Sequence, residues 1–252
     1  MNKIKMLSLC ISLILSCNVY AQTNKFNASK WRLNFSGGLG YVTAGTAADE
    51  SILKAMGFEE KKAEDFCKDL KNGLQGSADM HYFLNKNIGF GLKYAFFTTA
   101  GEIEIGRTYS PGPGFIQSDM VLLKEVDYVH FVGPSVHTRS FIEDSRLAFS
   151  LTLSGGYAYL FGKSEYEVLP GNGLRGLATG HALGVMGGIG LEYLLNKHIA
   201  LGFDVGYAYL LFNNLDVETS VKWGTNPGII SIEPEPFDLS QLDFSIGLKV
   251  YF

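Results

Sequence analysis

Large apolar residues alternate with small or polar residues along eight stretches of the chain. The clearest stretch is IALGFDVGYAY, which starts at Ile199 and places Ile, Leu, Phe, Val and Tyr on every second position, with Ala, Gly and Asp between them. A period of two is the pattern of a β-strand, because successive side chains point to opposite faces. The eight predicted strands begin near Trp31, Leu74, Ile88, Glu125, Leu147, Leu183, Ile199 and Leu242.

Short and long connections alternate between these predicted strands. The short ones are 85–87, 143–146 and 196–198, and the long ones are about 43–73, 107–124, 162–180 and 218–238. Strict alternation of this kind is typical of antiparallel barrels in outer membranes, where short periplasmic turns alternate with long external loops. Both ends of the mature chain are then expected on the periplasmic side.

The second face of the predicted strands indicates which side of a closed sheet is solvated. In a soluble barrel such as a lipocalin, the large apolar face fills the interior and the exterior is heavily charged. Here the second face is mostly Gly, Ala and Ser with occasional charges, which suits a narrow lumen. The large face then contacts lipid, and closure satisfies every backbone polar group without water. We predict an all-β fold, an eight-stranded antiparallel transmembrane β-barrel, with a secreted soluble barrel as the alternative.

One hairpin unit occurs twice, as YFLNKNIGFGLKYAF from Tyr82 and as YLLNKHIALGFDVGYAYL from Tyr193. Each LNK falls in a predicted short turn, and each following strand finishes in aromatic residues. Tyr and Trp rings collect at the two interfaces of a membrane. The repetition therefore predicts two aromatic girdles rather than a catalytic or cofactor motif, and the girdle at the turns includes Trp31 and Phe252.

The N-terminus has the features of a secretory signal peptide. Two lysines precede an apolar run over Met6–Ser16, and NVYAQ supplies small residues for cleavage after Ala21. The run is too short to span a bilayer, which takes about 20 residues. We predict a signal peptide over residues 1–21, an outer-membrane β-barrel domain over 22–252 and localisation in the cell outer membrane. Lipid attachment at Cys17 is the alternative.

Composition restricts the chemistry. The net charge of −4 gives no indication of a nucleic-acid partner. Without the signal peptide, Cys67 is the one cysteine left, so no internal disulfide is expected, and the sequence has no Cys and His cluster with metal-ligand spacing. We predict no cofactor and no metal.

Residues 49–72, in the first long connection, are predicted to form a helical insertion. The segment is rich in helix formers, with a break at Gly57 and with Gly73 as a C-cap. Its apolar residues recur at helical spacing, and Cys67 among them is expected to be a packed side chain rather than a reactive thiol. We expect the apolar face to pack on its own loop and the barrel rim, with a partner-binding cap as the alternative.

Several side chains are of the types that carry out catalysis, namely His81, His130, His137, Ser140, Asp79 and Glu143. His137 and Ser140 are three residues apart, so they lie on opposite faces of one strand and cannot form a nucleophile–base pair there. No spacing along the chain joins a nucleophile, a base and an orienting acid. We predict no enzymatic activity and assign no catalytic residue.

Charged residues on the small-residue face are predicted to form a network in the lumen. Lys93 and Asp204 each lie eight residues after the asparagine of a repeated turn, so the two units carry opposite charges at equivalent heights. Ionisable groups at bilayer depth usually pair with one another or with lumen water. We predict a charged plug built around Lys93 and Asp204 and helped by Asp243, with separate hydration of each charge as the alternative. Charged residues at other heights that could extend the network are Glu192, Arg32, Arg139 and Lys249.

The NVYAQ segment, the YxLNKxIxxG units, VGPSV from Val132 and the terminal GLKVYF resemble the small outer-membrane β-barrel proteins of Gram-negative bacteria, of the porin family or OmpA/OmpX type. The resemblance implies outer-membrane lipid as the surroundings and Phe252 as the terminal residue read by the barrel-assembly machinery. A structural or surface-interaction role through the external loops, with a possible surface partner, is expected, because side chains can fill an eight-stranded lumen. The alternative is a passive pore for small solutes or apolar ligands, and an outer-membrane enzyme is a third possibility.

Overall fold

The computed structural model describes residues 29–44, 53–54, 58–112, 115–142, 145–169, 172–213, 215–221 and 237–252. The elements are β1 (Trp31–Val42), α1 (Glu60–Lys71), β2 (Asn72–Phe83), β3 (Ile88–Gly112), β4 (Phe115–Phe141), β5 (Leu147–Leu169), β6 (Asn172–Leu194), β7 (Ile199–Phe212), β8 (Leu215–Val221), β9 (Phe237–Asp238) and β10 (Gln241–Tyr251). The predicted signal peptide with Cys17, the first residues of the predicted helix with Gly57, and Glu143 lie outside the described residues.

Eight of the strands close into an antiparallel ring. Sequence neighbours pair from β1 to β7, and β10 pairs with both β7 and β1, which closes the sheet. At this closure the Trp31 amide donates to the Phe252 carbonyl over 2.9 Å, and the Phe252 amide donates back over 3.1 Å. β8 continues the wall beside β6, and β9 pairs with β7. The predicted eight-stranded barrel is confirmed.

The large apolar side chains point out of the ring. Leu201 and Ile246 are 46% and 68% exposed, whereas Asp243, on the inward face, is buried. At the end that carries the short connections, which we call the turn end, the rings of Trp31 and Tyr82 meet edge to face with centroids 5.0 Å apart. The exterior is therefore an apolar belt, and the small and charged residues line the lumen.

The two repeated turns have the same hydrogen-bond pattern. Asn85 Oδ1 accepts from the backbone N–H groups two and three residues further on, at 2.9 and 2.8 Å. Asn196 Oδ1 accepts from the equivalent groups at 2.7 and 2.9 Å. An asparagine that bonds the backbone ahead of it stabilises a tight turn. The repeated LNK therefore marks two copies of one turn.

β3 to β6 continue well beyond the other strands. β3 and β4 have 25 and 27 residues, whereas β1 and β10 have 12 and 11. The four long strands rise above the ring as two hairpins, and we call their parts over 99–112, 115–127, 162–169 and 172–180 the β-extension. Segments 107–124 and 162–180, predicted as loops, are thus mostly strand. The end of the barrel with the β-extension is the helix end.

The predicted helical insertion between β1 and β2 is present, with helical residues at 53–54 and α1 over Glu60–Lys71. The prediction of Gly73 as its C-cap was wrong. Asn72 ends the helix, and its side-chain amide donates to the Lys68 carbonyl over 2.6 Å. Gly73 belongs to β2, where an added Cβ would lie 2.3 Å from the Thr98 carbonyl oxygen. Close packing in the sheet, rather than helix termination, accounts for this glycine.

α1 packs against the inner face of the β-extension. Phe66 and Leu70 are buried in one cluster with Ile103 of β3, and Cys67 is partly buried at its edge. The Thr99 hydroxyl donates to the Leu70 carbonyl over 2.8 Å. The apolar face of α1 is therefore occupied by the barrel's own rim. No helix within the described residues is long and apolar enough to cross a membrane.

Candidate functional site in the lumen

A chain of alternating charges crosses the lumen near the turn end. The Arg32 guanidinium bridges Asp79 (Nη1–Oδ1, 2.6 Å) and Glu192 (Nη2–Oε1, 3.1 Å). The Lys249 ammonium bridges Glu192 (Nζ–Oε1, 3.3 Å) and Asp204 (Nζ–Oδ1, 2.8 Å). Arg32, Glu192 and Lys249 are 2%, 0% and 0% exposed. We call these five side chains, which come from β2, β1, β6, β10 and β7, the ion-pair ladder.

Glycines on neighbouring strands provide the space for the ladder. A Cβ at Gly202 would lie 2.2 Å from Lys249 Nζ, and one at Gly190 would lie 2.1 Å from Asp204 Oδ1. The small residues of the lumen face therefore allow long charged side chains to meet near the axis. Removing one partner of a buried ion pair costs about 3–5 kcal/mol, because the other charge stays buried and unpaired. The ladder thus strongly disfavours any other arrangement of these side chains.

Two further side chains lie next to the ladder at the turn end, Tyr251 and Arg139. The Tyr251 hydroxyl donates to Glu192 Oε2. The Arg139 guanidinium lies 3.7 Å from the centroid of the Phe83 ring and 5.0 Å from that of Tyr251. It also donates to the Lys86 carbonyl over 3.0 Å. Arg139 therefore lies beside the ladder and anchors the adjacent turn.

Asp204 has a different partner from the predicted one. Its carboxylate accepts from Lys249 on the adjacent strand, whereas Lys93 makes no ion pair with any described residue. Adjacent strands are about 4.8 Å apart, while β3 and β7 face each other across the lumen. The nearer lysine therefore reaches the carboxylate. Lys93 and Asp243 instead line a cavity on the helix-end side of the ladder.

This lumen cavity is small and polar. Its volume is about 50 Å³, and Asn34, Ser77, Lys93, Asp204 and Asp243 are among its lining residues. A water molecule needs roughly 10–15 Å³ of such volume. The cavity therefore accommodates a few waters and no larger solute.

Apolar side chains fill the lumen on the helix-end side of the cavity. They point inward from β3, β4, β5 and β7, and each is at most 2% exposed. We call them the apolar plug, which consists of Phe97, Phe131, Leu160, Leu210 and Phe212. Two layers of different chemistry therefore close the lumen, the ladder at the turn end and the plug towards the helix end.

Ser135, His81 and Asp79 lie in a row beside the ladder, joined by a Ser135–His81 hydrogen bond and a close contact between His81 and Asp79. Ser135 Oγ lies 2.6 Å from His81 Nε2, and His81 Nδ1 lies 3.0 Å from Asp79 Oδ1. The row crosses β3 at Gly91, which is in register with both His81 and Ser135 and has no side chain between them. Sequence spacing did not reveal the row, since Ser135 and His81 are 54 residues apart. A serine, a histidine and an acid in this order have the arrangement of an activated nucleophile.

The serine and the histidine of this row are buried inside the barrel. Ser135 and His81 are 3% and 0% exposed, and neither lines the lumen cavity. Asp79 is also held by Arg32 and by the Asn34 amide, which donates to it over 2.7 Å. The row therefore connects β2 to β4 through the interior.

The remaining catalytic candidates are dispersed. His137 points inward and its Nδ1 lies 2.8 Å from Thr152 Oγ1, whereas Ser140 lines an apolar groove on the exterior with Phe149. His130 is also on the exterior, where its Nδ1 meets the Tyr94 hydroxyl. Among the described His, Cys, Asp and Glu side chains, no group of three could hold a metal ion.

A closed antiparallel barrel with an apolar exterior and a polar, partly charged interior is a transmembrane β-barrel. The family model described as "Outer membrane protein beta-barrel domain" matches residues 7–226. The chain belongs to this family of outer-membrane β-barrel proteins, as the sequence resemblance implied. Cleavage of the signal peptide after Ala21 stays a prediction.

Three solved structures are among those similar to this chain. Neisserial surface protein A is 13% identical, with 90% of this chain and 99% of that chain covered and a TM-score of 0.39. OprG from Pseudomonas aeruginosa is 12% identical, with 91% and 100% covered and a TM-score of 0.41. The protease OmpT from Escherichia coli is 10% identical, with 92% and 99% covered and a TM-score of 0.48. No curated protein matches the chain.

Proposed function

We propose that this chain is a non-conducting outer-membrane barrel that anchors the β-extension as a surface for interaction outside the cell. The observation that carries the proposal is the double closure of the lumen, with a cavity of only about 50 Å³ between ladder and plug. The turn end is then periplasmic and the helix end extracellular, as in barrels with short periplasmic turns.

Each layer opposes the passage of ions for its own reason. An ion that enters from the turn end has to separate buried pairs such as Arg32–Glu192, and a buried charge without its partner is strongly unfavourable. An ion that enters from the helix end meets the phenyl rings of Phe131 and Phe212, and hydrophobic constrictions close pores by excluding water. The two layers in series support a lumen that stays closed in the resting protein.

The β-extension has the character of a water-facing sheet. Its outward face carries the ion pairs Lys124–Glu102 (3.0 Å) and Arg175–Glu165 (3.1 Å). Its inner face is covered by α1. A sheet supported on one side and charged on the other presents a fixed surface instead of mobile loops, which favours interaction with a surface partner over solute transport.

Conductance in planar bilayers tests the double closure. Phe131→Ala with Phe212→Ala opens the plug, and Lys249→Ser with Asp204→Ser opens the ladder while removing one charge of each sign. We expect no steady conductance from the wild type, little from either double variant, and a clear increase when all four changes are combined.

Phe203→Ala with Phe244→Ala is the matched control, because it removes two phenyl rings from the lipid-facing side, where both residues are more than 40% exposed. Steady conductance of the wild type at the level of the fourfold variant would contradict the proposal. That result would favour the second candidate function, a passive pore, to which the polar lumen cavity already points.

We further infer that the chain is not an enzyme, since the Ser135 hydroxyl is buried beside His81 and neither side chain lines the lumen cavity. A small fluorophosphonate applied to the folded protein tests this inference. Labelling of the wild type that disappears in Ser135→Ala, but persists in Ser154→Ala on the neighbouring strand, would show a reactive nucleophile and contradict it.

A further inference from the structure

Outward-facing rings form a continuous layer on one wall of the barrel, at the helix end of the apolar belt. Phe96, His130, Tyr159 and His181 lie in one row, in register across β3, β4, β5 and β6. Contacting rings in and around this row have centroids between 5.1 and 6.3 Å apart. At this depth an outer-membrane barrel meets lipid headgroups.

Each histidine in the row is held by a tyrosine one step nearer the turn end. The Tyr94 hydroxyl lies 2.8 Å from His130 Nδ1, and the Tyr157 hydroxyl is hydrogen-bonded to His181 Nδ1. A hydroxyl that donates to Nδ1 leaves the imidazole hydrogen on Nε2. Neither Nε2 has a hydrogen-bond partner within the described residues. Two donors are therefore left for the surroundings, two strands and so roughly 10 Å apart.

Lys163 adds a positive charge to the same wall. It lies on β5, the strand between the two histidines, on the helix-end side of Tyr159, and its ammonium lies 5.4 Å from the centroid of the Phe161 ring. No carboxylate of the described residues lies within 4.0 Å of this ammonium. The cations one row further out are compensated, in the pairs Lys124–Glu102 and Arg175–Glu165.

The described residues on the opposite wall of the barrel form no equivalent layer. Towards the helix end, the outward residues of β7, β10 and β1 include Tyr207, Tyr209, Leu242 and Tyr41, none of which is cationic. Within the part of the chain that the structure describes, the positive charge and the imidazole donors at this end thus lie on the wall formed by β4, β5 and β6. A general attraction to anionic lipid would not require the cationic and imidazole side chains to lie on one wall.

We propose that His130, His181 and Lys163 form a headgroup site for a phosphorylated glycolipid of the outer leaflet. Because the two Nε2 groups are roughly 10 Å apart, they donate to different phosphate groups of the headgroup. Cationic side chains at a membrane surface attract anionic headgroups, and the Lys163 ammonium supplies this charge. The apolar faces of the sugar ring pack on the neighbouring aromatic rings. A lipid is the occupant that fits, because the two histidines face out of the barrel at headgroup depth and Lys163 lies beyond them, at the base of the β-extension.

Binding of diphosphoryl lipid A to the full chain in phosphatidylcholine nanodiscs tests the site. The test variant is His130→Phe with His181→Phe and Lys163→Gln, which keeps aromatic rings in the lipid-facing row. We expect its dissociation constant for diphosphoryl lipid A to rise at least about five-fold over the wild type, the effect of losing one cation near a membrane surface.

Tyr193→Phe with Lys197→Gln is the matched control, since it removes a ring hydroxyl and a cation at the turn end and is expected to leave the affinity unchanged. Folding of each variant is verified by circular dichroism in phosphatidylcholine before lipid A is added. Equal affinity of the folded test variant and the wild type would overturn the proposal. Equally tight binding of phosphatidylglycerol by the wild type would also overturn it, because the site then recognises charge alone.

Discussion

Lys249 and Lys93 are the same residue type on the same inner face, yet their surroundings differ. Lys249 is fully buried between Glu192 and Asp204, whereas Lys93 borders the lumen cavity without an ion-pair partner among the described residues. A carboxylate left alone in a buried site is costly, while a charge beside water is not. The two lysines therefore differ in how much the fold depends on them.

Substitution of each lysine by methionine measures this difference. Lys249→Met leaves Glu192 and Asp204 without their shared cation, and we expect the free energy of unfolding to fall by about 3–5 kcal/mol. Lys93→Met serves as the control, with an expected loss below about 1 kcal/mol. Urea unfolding in phosphatidylcholine vesicles gives both values. Equal losses of stability, or a larger loss for Lys93→Met, would contradict this difference and favour the predicted pairing of Lys93 with Asp204.

At the scale of the single element, the two repeated turns depend on one side chain each. Asn85→Ala and Asn196→Ala each remove an oxygen that accepts two backbone hydrogen bonds. We expect each change to lower the free energy of unfolding by about 1 kcal/mol and the double variant by the sum, since the turns are far apart. Lys86→Ala and Lys197→Ala are the matched controls in the same turns. Losses of equal size in the controls would show that the asparagines have no special role.

α1 lies over a buried and a half-buried carboxylate beyond the membrane-spanning part of the barrel. Glu125 and Asp127 point inward from β4, past the outermost ring of Tyr128, and are in register with Gly101 and Thr99 beneath the helix. Burial raises the pKa of Glu125 to about 7, with the charge of Asp127 adding to the shift. Burial also raises the pKa of Asp127 to about 6. Both acids hold their protons more tightly in the folded state.

The sign of the pH effect on α1 follows from these shifts. Carboxylates in an unfolded segment ionise near pH 4, so between about pH 4 and pH 7 the open state loses protons that the packed state keeps, and stability falls as pH rises. We expect amide hydrogen exchange in Glu60–Lys71, corrected for intrinsic rates, to show lower protection at pH 8 than at pH 5. Glu125→Gln with Asp127→Asn should remove most of this difference. Glu102→Gln, on the outward face, is the control, and an unchanged pH dependence in the double variant would contradict the assignment.

The strand pattern was predictable from sequence wherever lipid and lumen impose opposite demands on alternate residues. Beyond Thr98 the two faces exchange their preferred residue types, because the outward face contacts water and the inward face contacts α1. Ile103 accordingly points inward and is buried, while its neighbour Glu102 points outward and is exposed. The alternation of polar and apolar residues continues, but the apolar residues now point inward and the polar ones outward. The pattern of large outward and small inward residues therefore ends at the barrel, and the sequence predicts loops in place of the β-extension.

The contents of the lumen were only partly predictable. The sequence identified which charged residues face inward, but not which of them meet, since strand tilt and stagger in a closed barrel set their relative heights. From the sequence, Asp79 is a catalytic candidate and not a predicted member of the charge network. It belongs to the ladder because Arg32 on the neighbouring strand pairs with it. The Ser135–His81 contact depends on Gly91 between them, which no spacing along one strand can reveal.

At the scale of the whole molecule, the ladder joins the first and last strands of the ring. Arg32 comes from β1 and Lys249 from β10, and Arg32 contacts Glu192 across the closure between these two strands. In a partly assembled sheet whose edges are still apart, Arg32 keeps Asp79 and Lys249 keeps Asp204, but Arg32 and Glu192 do not meet, so such intermediates are higher in free energy. Assembly is therefore expected to be cooperative, with insertion and closure as one event. The same barrier slows reopening, so the lifetime of the folded barrel in the membrane is a property that these interior charges control kinetically.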